Sequence, residues 1–146
     1  MAGHRLRVFL DSNVVFSGLY SSVGAPAAIL DAFAAGDLSV VVSSMVLEEV
    51  VRATKAKAPR ALPALGLLLA NSPLEVVANP APDGILPWRR FLSAGDAAVL
   101  AAAISARVDY LVSGDRHFTG RRIAVEGRIR IVTPAQLLAV LRKPRS

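Results

Sequence analysis

The sequence contains no cysteine and only two histidines, and these shortages exclude several kinds of chemistry. Without cysteine the chain has no disulfide, no thiolate ligand for a metal and no cysteine nucleophile. Zinc favours clusters of histidine and cysteine, whereas His4 lies in the N-terminal arm and His117 is predicted to be a turn or surface residue. A metal site in this chain would therefore depend on oxygen ligands.

Long hydrophobic runs are also missing. The apolar stretches, such as LPALGLLLA, fall well short of the roughly 20 residues that a transmembrane helix needs. The N-terminal MAGHRLRVFL reaches the polar DSN before an apolar segment of signal-peptide length is complete. We expect a soluble, cytoplasmic protein that enters no membrane, and the length suits a single domain over residues 1–146.

Apolar residues make up 53% of the sequence and are rich in Ala, Val and Leu, while aromatic residues make up only 5%. This composition suits helices packed tightly against a sheet and argues against disorder. The 17 Lys and Arg exceed the 11 Asp and Glu and give a formal charge of +6. That balance is compatible with a polyanionic partner but does not identify one.

Short apolar segments alternate with helical patterns. Strands are predicted at 5–10, 38–43, 74–78, 109–115 and 129–133. Helices are predicted at 25–36, closed by Gly36, and at 44–58, 60–71, 95–108 and 133–143, with a capping box at the start of the last. The segment 79–88, with three prolines, is predicted to be a loop. Because LSVVVS is apolar at consecutive positions, both faces of its strand should be covered, as in a parallel α/β sandwich.

Acidic residues follow the predicted strands. Asp11 comes directly after the first strand, Glu48 and Glu49 lie in the helix after the second, and Asp115 ends the segment 109–115. Asp96 opens the helix that leads into that segment. In an open parallel sheet, ligands bind at the carboxyl ends of the strands. Four segments are therefore predicted to bring acids to one edge.

Each acid also has an ordinary structural interpretation. Asp96 can complete a capping box begun by Ser93, Asp115 can be a turn residue, and either glutamate can lie on a solvated helix surface. Asp11 is harder to explain, because a turn after a buried strand does not require a carboxylate. Acids crowded together would repel one another, and a hard cation such as Mg²⁺ or Mn²⁺ would relieve the repulsion. Such an ion prefers oxygen ligands and can activate water toward a phosphodiester.

Four segments, in chain order, resemble the PIN domain: VFLDSNVVFSGL, VVSSMVLEEVVRA, GDAAVLAAAISARVDYLVSGDRHF and IRIVTPAQLLAVL. The resemblance spans nearly the whole chain and is closest to the VapC-like toxin ribonucleases of type II toxin–antitoxin systems. It implies a three-layer α/β/α sandwich with a central, mainly parallel sheet of four or five strands. It also implies a nuclease that uses one or two Mg²⁺ or Mn²⁺ ions and, as in most toxin members, cuts RNA.

The resemblance assigns four acids to the catalytic and metal-binding set: Asp11, Glu49, Asp96 and Asp115. It assigns three polar residues to the support of the pocket: Asn13, Ser43 and Ser113. Glu49 rather than Glu48 is the second acid, because a serine precedes it by six residues as in the family's pattern. Relatives often carry a run of aspartates before the third acid, where this chain has FLSAG, and this departure puts a second metal ion in doubt. Asp109, which matches a common aspartate of the family, is interpreted as structural.

The resemblance also implies partners. Three arginines that follow the last acid are RNA-binding candidates: Arg116, Arg121 and Arg122. Arg89 and Arg90, next to Trp88, fit either RNA contact through stacking or a protein partner, and the sequence does not decide between them. A cognate antitoxin that inserts a segment into the acidic cleft is expected, as is a homodimer. The leucine-rich stretch 61–69 fits a dimer surface or a plain core helix equally well.

Two other functions stay open. A haloacid-dehalogenase-like phosphohydrolase also begins with an aspartate after its first strand, but its second aspartate, two residues later, is Asn13 here. That family also needs a late lysine, and none lies between Asp96 and Val132. A degenerate PIN fold that binds RNA or protein without cutting is the other alternative, and the presence of all four acids argues against it.

Overall fold

The computed structural model describes residues 5–115, 118 and 129–143. Within these ranges, five parallel strands form one sheet in the order β3-β2-β1-β4-β5. The strands are β1 (Leu6–Leu10), β2 (Leu38–Ser43), β3 (Glu75–Val77), β4 (Tyr110–Val112) and β5 (Arg130–Val132). The β1–β2 register runs from Leu6 opposite Leu38 to Phe9 opposite Val41. The predicted parallel sheet is confirmed, with five strands.

Seven α-helices of the described ranges cover the sheet: α1 (Ser12–Tyr20), α2 (Ala25–Ala34), α3 (Ser44–Lys57), α4 (Leu62–Asn71), α5 (Pro82–Ile85), α6 (Ala94–Ser105) and α7 (Pro134–Arg142). The chain runs outward from β1 to β3 and then returns to β4, and crossovers between parallel strands are as a rule right-handed. This reversal places α1 to α4 on one face and α6 on the other, which confirms the three-layer sandwich. In the described part of the chain, no single helix is long and apolar enough to cross a bilayer; α1 and α2 pass that test only as a pair, which is bent by 90°.

The core lies on both faces of the central strands. Val8, Phe9 and Leu10 of β1 are fully buried, and the valines of β2 are almost so. Burying one such side chain contributes about 1.5–3 kcal/mol relative to leaving it exposed. On the far face α6 presents buried alanines, whose small side chains let the helix approach the sheet closely. The continuous apolar run of β2 is therefore explained by burial on two faces.

Helix ends follow the capping signals in the sequence. The Thr133 hydroxyl accepts a hydrogen bond from the Gln136 N–H at 3.1 Å, and Gln136 Oε1 accepts one from the Thr133 N–H at 2.9 Å, so the predicted capping box of α7 is confirmed. After α2, Gly36 has a φ of +83°. Its N–H donates to the Phe33 carbonyl at 3.0 Å, and the next N–H, of Asp37, donates to the Ala32 carbonyl at 2.9 Å. This paired pattern at the helix end requires the left-handed residue that glycine supplies.

Two segments differ from the predictions. The helix α1 was not predicted; it begins directly after Asp11, which serves as its N-cap. The segment 79–88, predicted to be a loop, contains α5 and most of a 3₁₀ turn at Leu86–Arg90. The loop prediction was wrong because Pro82 and Pro87 occupy first-turn positions, where a missing N–H breaks no helical hydrogen bond.

The helix α4 is only partly a core helix. Leu65 is buried, but Leu67 is 61% exposed and Leu69 is 41% exposed. A groove of about 670 Å³ lies between α4 and the corner formed by α1 and α2, with Tyr20 and Leu67 among its lining residues. Apolar surface is thus available on this side of the molecule.

Candidate active site

The candidate acids lie near a reversal in the sheet order. Strands β1 and β4 are neighbours, but the chain leaves β1 toward β2 and reaches β4 only after β3. Ligand crevices of open parallel sheets form at such a point, outside the carboxyl ends of the strands. Asp11 and Ser113 are the residues that follow these two strands. The Asp11 N–H donates to the Val112 carbonyl at 3.0 Å, so strand pairing itself fixes the Asp11 backbone.

Asp11 is a buried carboxylate, only 6% exposed. Its Oδ1 accepts a hydrogen bond from the Ser12 N–H at 2.8 Å, and its Oδ2 accepts one from the Ser113 hydroxyl at 2.9 Å. Burial raises the pKa of Asp11; the two hydrogen bonds oppose that rise, and the negative charges of Asp96 and Glu49 add to it. Asp11 is therefore rigidly held in an environment that favours a nearby positive charge.

Ser113 connects the ends of two strands to this acid. Its hydroxyl is fully buried, donates to Asp11 and accepts a hydrogen bond from the Asp115 N–H at 3.0 Å. Its own N–H donates to the Val132 carbonyl of β5 at 3.0 Å. Asp115 is half-buried, and its carbonyl accepts a hydrogen bond from the Phe118 N–H at 3.1 Å. One side chain thus fixes both Asp11 and the backbone at Asp115.

Glu49 reaches the same end of the sheet from α3, which packs against α1. Its Oε2 accepts a hydrogen bond from the Ser12 hydroxyl at 3.0 Å. Ser12 therefore contacts two acids, Asp11 through its backbone and Glu49 through its side chain. Ser12 was not among the predicted site residues; a small hydroxyl residue directly after a strand-end acid was the only available signal.

Ser43 and Asn13 hold the elements around the acids. Ser43 is fully buried and caps α3 by accepting a hydrogen bond from the Val46 N–H at 3.2 Å, so it fixes the start of the helix that carries Glu49. Asn13 is exposed, and its Oδ1 accepts a hydrogen bond from the Gly114 N–H at 3.4 Å. That bond ties the start of α1 to the loop after β4.

Asp96 lies in the first turn of α6 and is half-buried. The Ser93 hydroxyl accepts a hydrogen bond from the Asp96 N–H at 3.2 Å, so Ser93 caps the helix as its sequence position indicates. The Asp96 carboxylate is also close enough to Asp11 to raise the pKa of that residue. The position in the first helical turn therefore does not exclude a role in the site.

The structure connects Asp11 to Glu49 through hydrogen bonds of Ser12, to Asp96 through charge alone, and to the Asp115 backbone through Ser113. In the described part of the chain, no three acids or histidines are grouped as a preformed metal site. Mg²⁺ commonly keeps several waters and is held by one or two carboxylates, so this donor set still fits such an ion. The four-acid metal set stays a prediction. Five predicted or discussed residues lie outside the described ranges: His4, Arg116, His117, Arg121 and Arg122.

The opposite end of the sheet carries charges that compensate one another. Asp109 Oδ2 accepts a hydrogen bond from the Arg7 N–H at 2.9 Å, and the Arg7 guanidinium binds both oxygens of Glu75 at 2.6 and 2.8 Å. The hydrogen bond from Arg7 lowers the pKa of Glu75. These contacts join strands at their amino ends, which agrees with a structural role for Asp109.

The chain is similar to known proteins in family and in fold. A family model described as PIN domain matches residues 7–117. No curated protein sequence matches significantly. Among solved structures, VapBC2 from Rickettsia felis, bound to a DNA fragment from its promoter, has a TM-score of 0.65 at 16% identity, covering 88% of this chain and 98% of that chain. VapC20 from Mycobacterium tuberculosis, a sarcin–ricin loop cleaving toxin, has a TM-score of 0.55 at 18% identity, covering 77% and 93%.

A toxin–antitoxin complex from Klebsiella pneumoniae has a TM-score of 0.57 at 21% identity, covering 87% of this chain and 97% of that chain. At these identities the structural likeness concerns the fold. The family model, in contrast, runs from the strand that precedes Asp11 to beyond Asp115. The chain therefore belongs to the PIN-domain family, a family of nucleases.

Proposed function

We propose that this chain is a metal-dependent endoribonuclease that acts in the cytoplasm as the toxin of a toxin–antitoxin pair. The observation that carries the proposal is the state of Asp11: a buried carboxylate with both oxygens hydrogen-bonded and its pKa raised by burial and by two further acids. Titratable groups perturbed in this way concentrate at functional sites. Membership of the PIN family and the toxin structures of the same fold support a nuclease.

Three groups of residues have separate roles in the proposed mechanism. Asp11, Glu49, Asp96 and Asp115 would hold one or two Mg²⁺ or Mn²⁺ ions. Such an ion, when bound, neutralises charge on a phosphodiester and activates a water for attack on phosphorus. Ser113 and Ser12 keep Asp11 and Glu49 in fixed orientations, and fixed carboxylates bind a cation without first having to order. The arginines at 116, 121 and 122 are proposed to contact RNA phosphates.

Cleavage of RNA is the direct test. Total cellular RNA is incubated with the purified protein and Mg²⁺ or Mn²⁺, beside Asp11→Asn and the control Asp37→Asn, an exposed aspartate in the turn before β2. Loss of a metal ligand should reduce activity by more than the roughly 10–100-fold reduction that follows loss of a supporting residue. We expect Asp11→Asn to be inactive and Asp37→Asn to match the wild type. Equal fragmentation by the wild type and Asp11→Asn would contradict the proposal.

A metal titration separates the nuclease from a PIN fold that binds without cutting. An ion that binds only the folded state stabilises it by mass action. Mn²⁺ should therefore raise the melting temperature of the wild type and leave that of Asp11→Asn nearly unchanged. An inert module would show no shift for either protein.

Protein partners follow from the same assignment. VapBC2 and the Klebsiella complex are toxin–antitoxin assemblies, and we propose that this chain likewise binds an antitoxin and forms a homodimer. The exposed Leu67 and Leu69 provide apolar surface for such contacts. Light scattering should show a dimer that Leu67→Glu weakens, and coexpression with the adjacent gene product should yield a complex. A monomer at all concentrations would remove the homodimer from the proposal.

A further inference from the structure

The segment that leads into α6 holds an exposed aromatic ring on a fixed backbone. The N–H groups of Phe91 and Leu92 both donate to the Trp88 carbonyl, at 3.2 and 3.0 Å. Trp88 packs against the core from a half-buried position, and Leu92 is buried. Phe91 therefore lies between two anchored residues, although its own side chain is 51% exposed.

Two arginines accompany this ring. The Arg90 guanidinium carbon lies 5.9 Å from the centroid of the Phe91 ring. Arg89 donates from Nη1 to the Leu92 carbonyl at 3.1 Å, which holds its guanidinium beside the same turn. An exposed aromatic ring with adjacent guanidinium groups is the combination that stacks on a nucleobase and attracts the neighbouring phosphates.

The ring is also close to the acidic site. Ser93 caps α6 and Asp96 lies in its first turn, so only four residues lie between Phe91 and an acid that acts on Asp11. Over these five residue steps even a fully extended chain spans at most about 18 Å, and a helical turn shortens it. An RNA strand that leaves the acidic site along the start of α6 would therefore reach Phe91 within a few nucleotides.

We propose that Phe91 and Arg90 form a nucleobase-stacking platform for single-stranded RNA beside the cleavage site. The identity of the ligand as RNA rests on the proposed nuclease function. Positive charge next to the ring favours a nucleic acid over an apolar protein surface. Duplex RNA is disfavoured, because its bases are stacked on one another and do not present a free face.

Binding is measured without cleavage by keeping EDTA in the buffer. Fluorescence anisotropy compares a short labelled single-stranded RNA with an abasic strand of equal length, which keeps the phosphates but has no bases. Phe91→Ala should weaken binding of the base-containing RNA by roughly 5- to 150-fold, the range measured for loss of one base–aromatic stack. Binding of the abasic strand should not change. Phe91→Tyr, which keeps a ring, should bind like the wild type.

Leu86→Ala is the matched control, because Leu86 is an exposed apolar residue of the same turn, 68% exposed, without a ring. It should bind both strands like the wild type. Trp88 is the only tryptophan of the chain, so its fluorescence should respond to the base-containing RNA and not to the abasic strand.

Equal loss of RNA binding in Phe91→Ala and Leu86→Ala would overturn the platform, as would equal effects on the two strands. Loss of a copurifying protein partner by Phe91→Ala, with RNA binding intact, would assign the surface to protein and also overturn it. Metal-dependent RNA cleavage with wild-type RNA binding in Phe91→Ala would remove the platform and leave the nuclease. Phe91-dependent RNA binding without cleavage would uphold the platform and remove the nuclease.

Discussion

Replacing Ser113 by alanine should destabilise the metal-free protein far more than the loss of one hydroxyl usually does. The Ser113 hydroxyl is fully buried and donates at 2.9 Å to an Asp11 oxygen that is itself almost inaccessible to water. Water therefore does not replace the lost donor. Serine and alanine differ little in volume, so the change tests the hydrogen bond rather than the packing.

The magnitude follows from the two bonds that are lost. A hydrogen bond to a charged group contributes about 1.5–3 kcal/mol, and the Asp115 N–H, bonded to the same oxygen at 3.0 Å, adds up to about 1 kcal/mol. We expect Ser113→Ala to lower the free energy of unfolding by roughly 2–4 kcal/mol. For a chain of 146 residues this corresponds to a melting temperature lower by roughly 6–12 °C.

Denaturant unfolding in EDTA, followed by circular dichroism, measures the effect. Ser44→Ala is the control, because the Ser44 hydroxyl donates only to a neutral carbonyl, that of Val77, at 3.4 Å. It should cost less than about 1 kcal/mol. The effect of Ser113→Ala should shrink as the pH falls through the raised pKa of Asp11, since the protonated acid no longer gains from a charge-assisted bond. A Ser113→Ala protein within about 0.5 kcal/mol of the wild type at neutral pH would refute the reasoning.

Three further changes test other contacts. Ser12→Ala should weaken Mn²⁺ binding by roughly 10–100-fold in calorimetry, because Glu49 loses its hydrogen-bond donor. Ser12→Thr keeps a hydroxyl and should bind Mn²⁺ like the wild type. Equal affinities of Ser12→Ala and the wild type would contradict the role of Ser12 in positioning Glu49. Gly18→Ala should lower stability by about 1–3 kcal/mol despite alanine's higher helix propensity, because its Cβ would lie 2.9 Å from the Pro26 carbonyl oxygen, a backbone atom, and 2.6 Å from Leu30 Cδ1; a higher melting temperature would be the contrary result. Burial raises the folded-state pKa of Asp11 above its unfolded value of about 3.9, so the folded state binds the proton more tightly. The contribution of Asp11 to stability therefore falls as the pH rises from the unfolded-state pKa to the folded-state pKa. The stability of the wild type relative to Asp11→Asn in EDTA should therefore decrease with rising pH, and an opposite slope in chemical denaturation would exclude this.

Hydrophobic patterns and capping residues predicted the strands and helices correctly where those patterns matched the burial seen in the structure. The bounds of β2 were predicted correctly because its run of valines is covered on both faces. The capping box of Thr133 specified the start of α7 independently of the rest of the fold. The helix α1 was missed, since its β-branched and aromatic residues favour a strand equally well, and its formation depends on the cap that Asp11 provides.

The position of Asp11 at the sheet edge was predictable, and the contacts around it were not. A strand that ends in an acid places that acid at the carboxyl edge of the sheet, and this rule placed Asp11 there without a structure. The bond between Ser12 and Glu49 could not be predicted, because it depends on how α1 packs against α3, and local sequence does not encode that distance. The shared use of the Ser113 hydroxyl by Asp11 and Asp115 is likewise a result of tertiary structure.

The two ends of the sheet differ in how charge is balanced, and this difference bears on function. At the amino ends, Glu75 has a guanidinium partner that lowers its pKa. At the carboxyl ends, the described charges that act on Asp11 are those of Asp96 and Glu49, and both are negative. A fold selected for stability alone would gain by replacing a buried acid in that environment with a neutral residue. A bound divalent cation would relieve the repulsion between these acids. Among variants of the acids, the instability of the metal-free site and its affinity for metal should therefore rise and fall together.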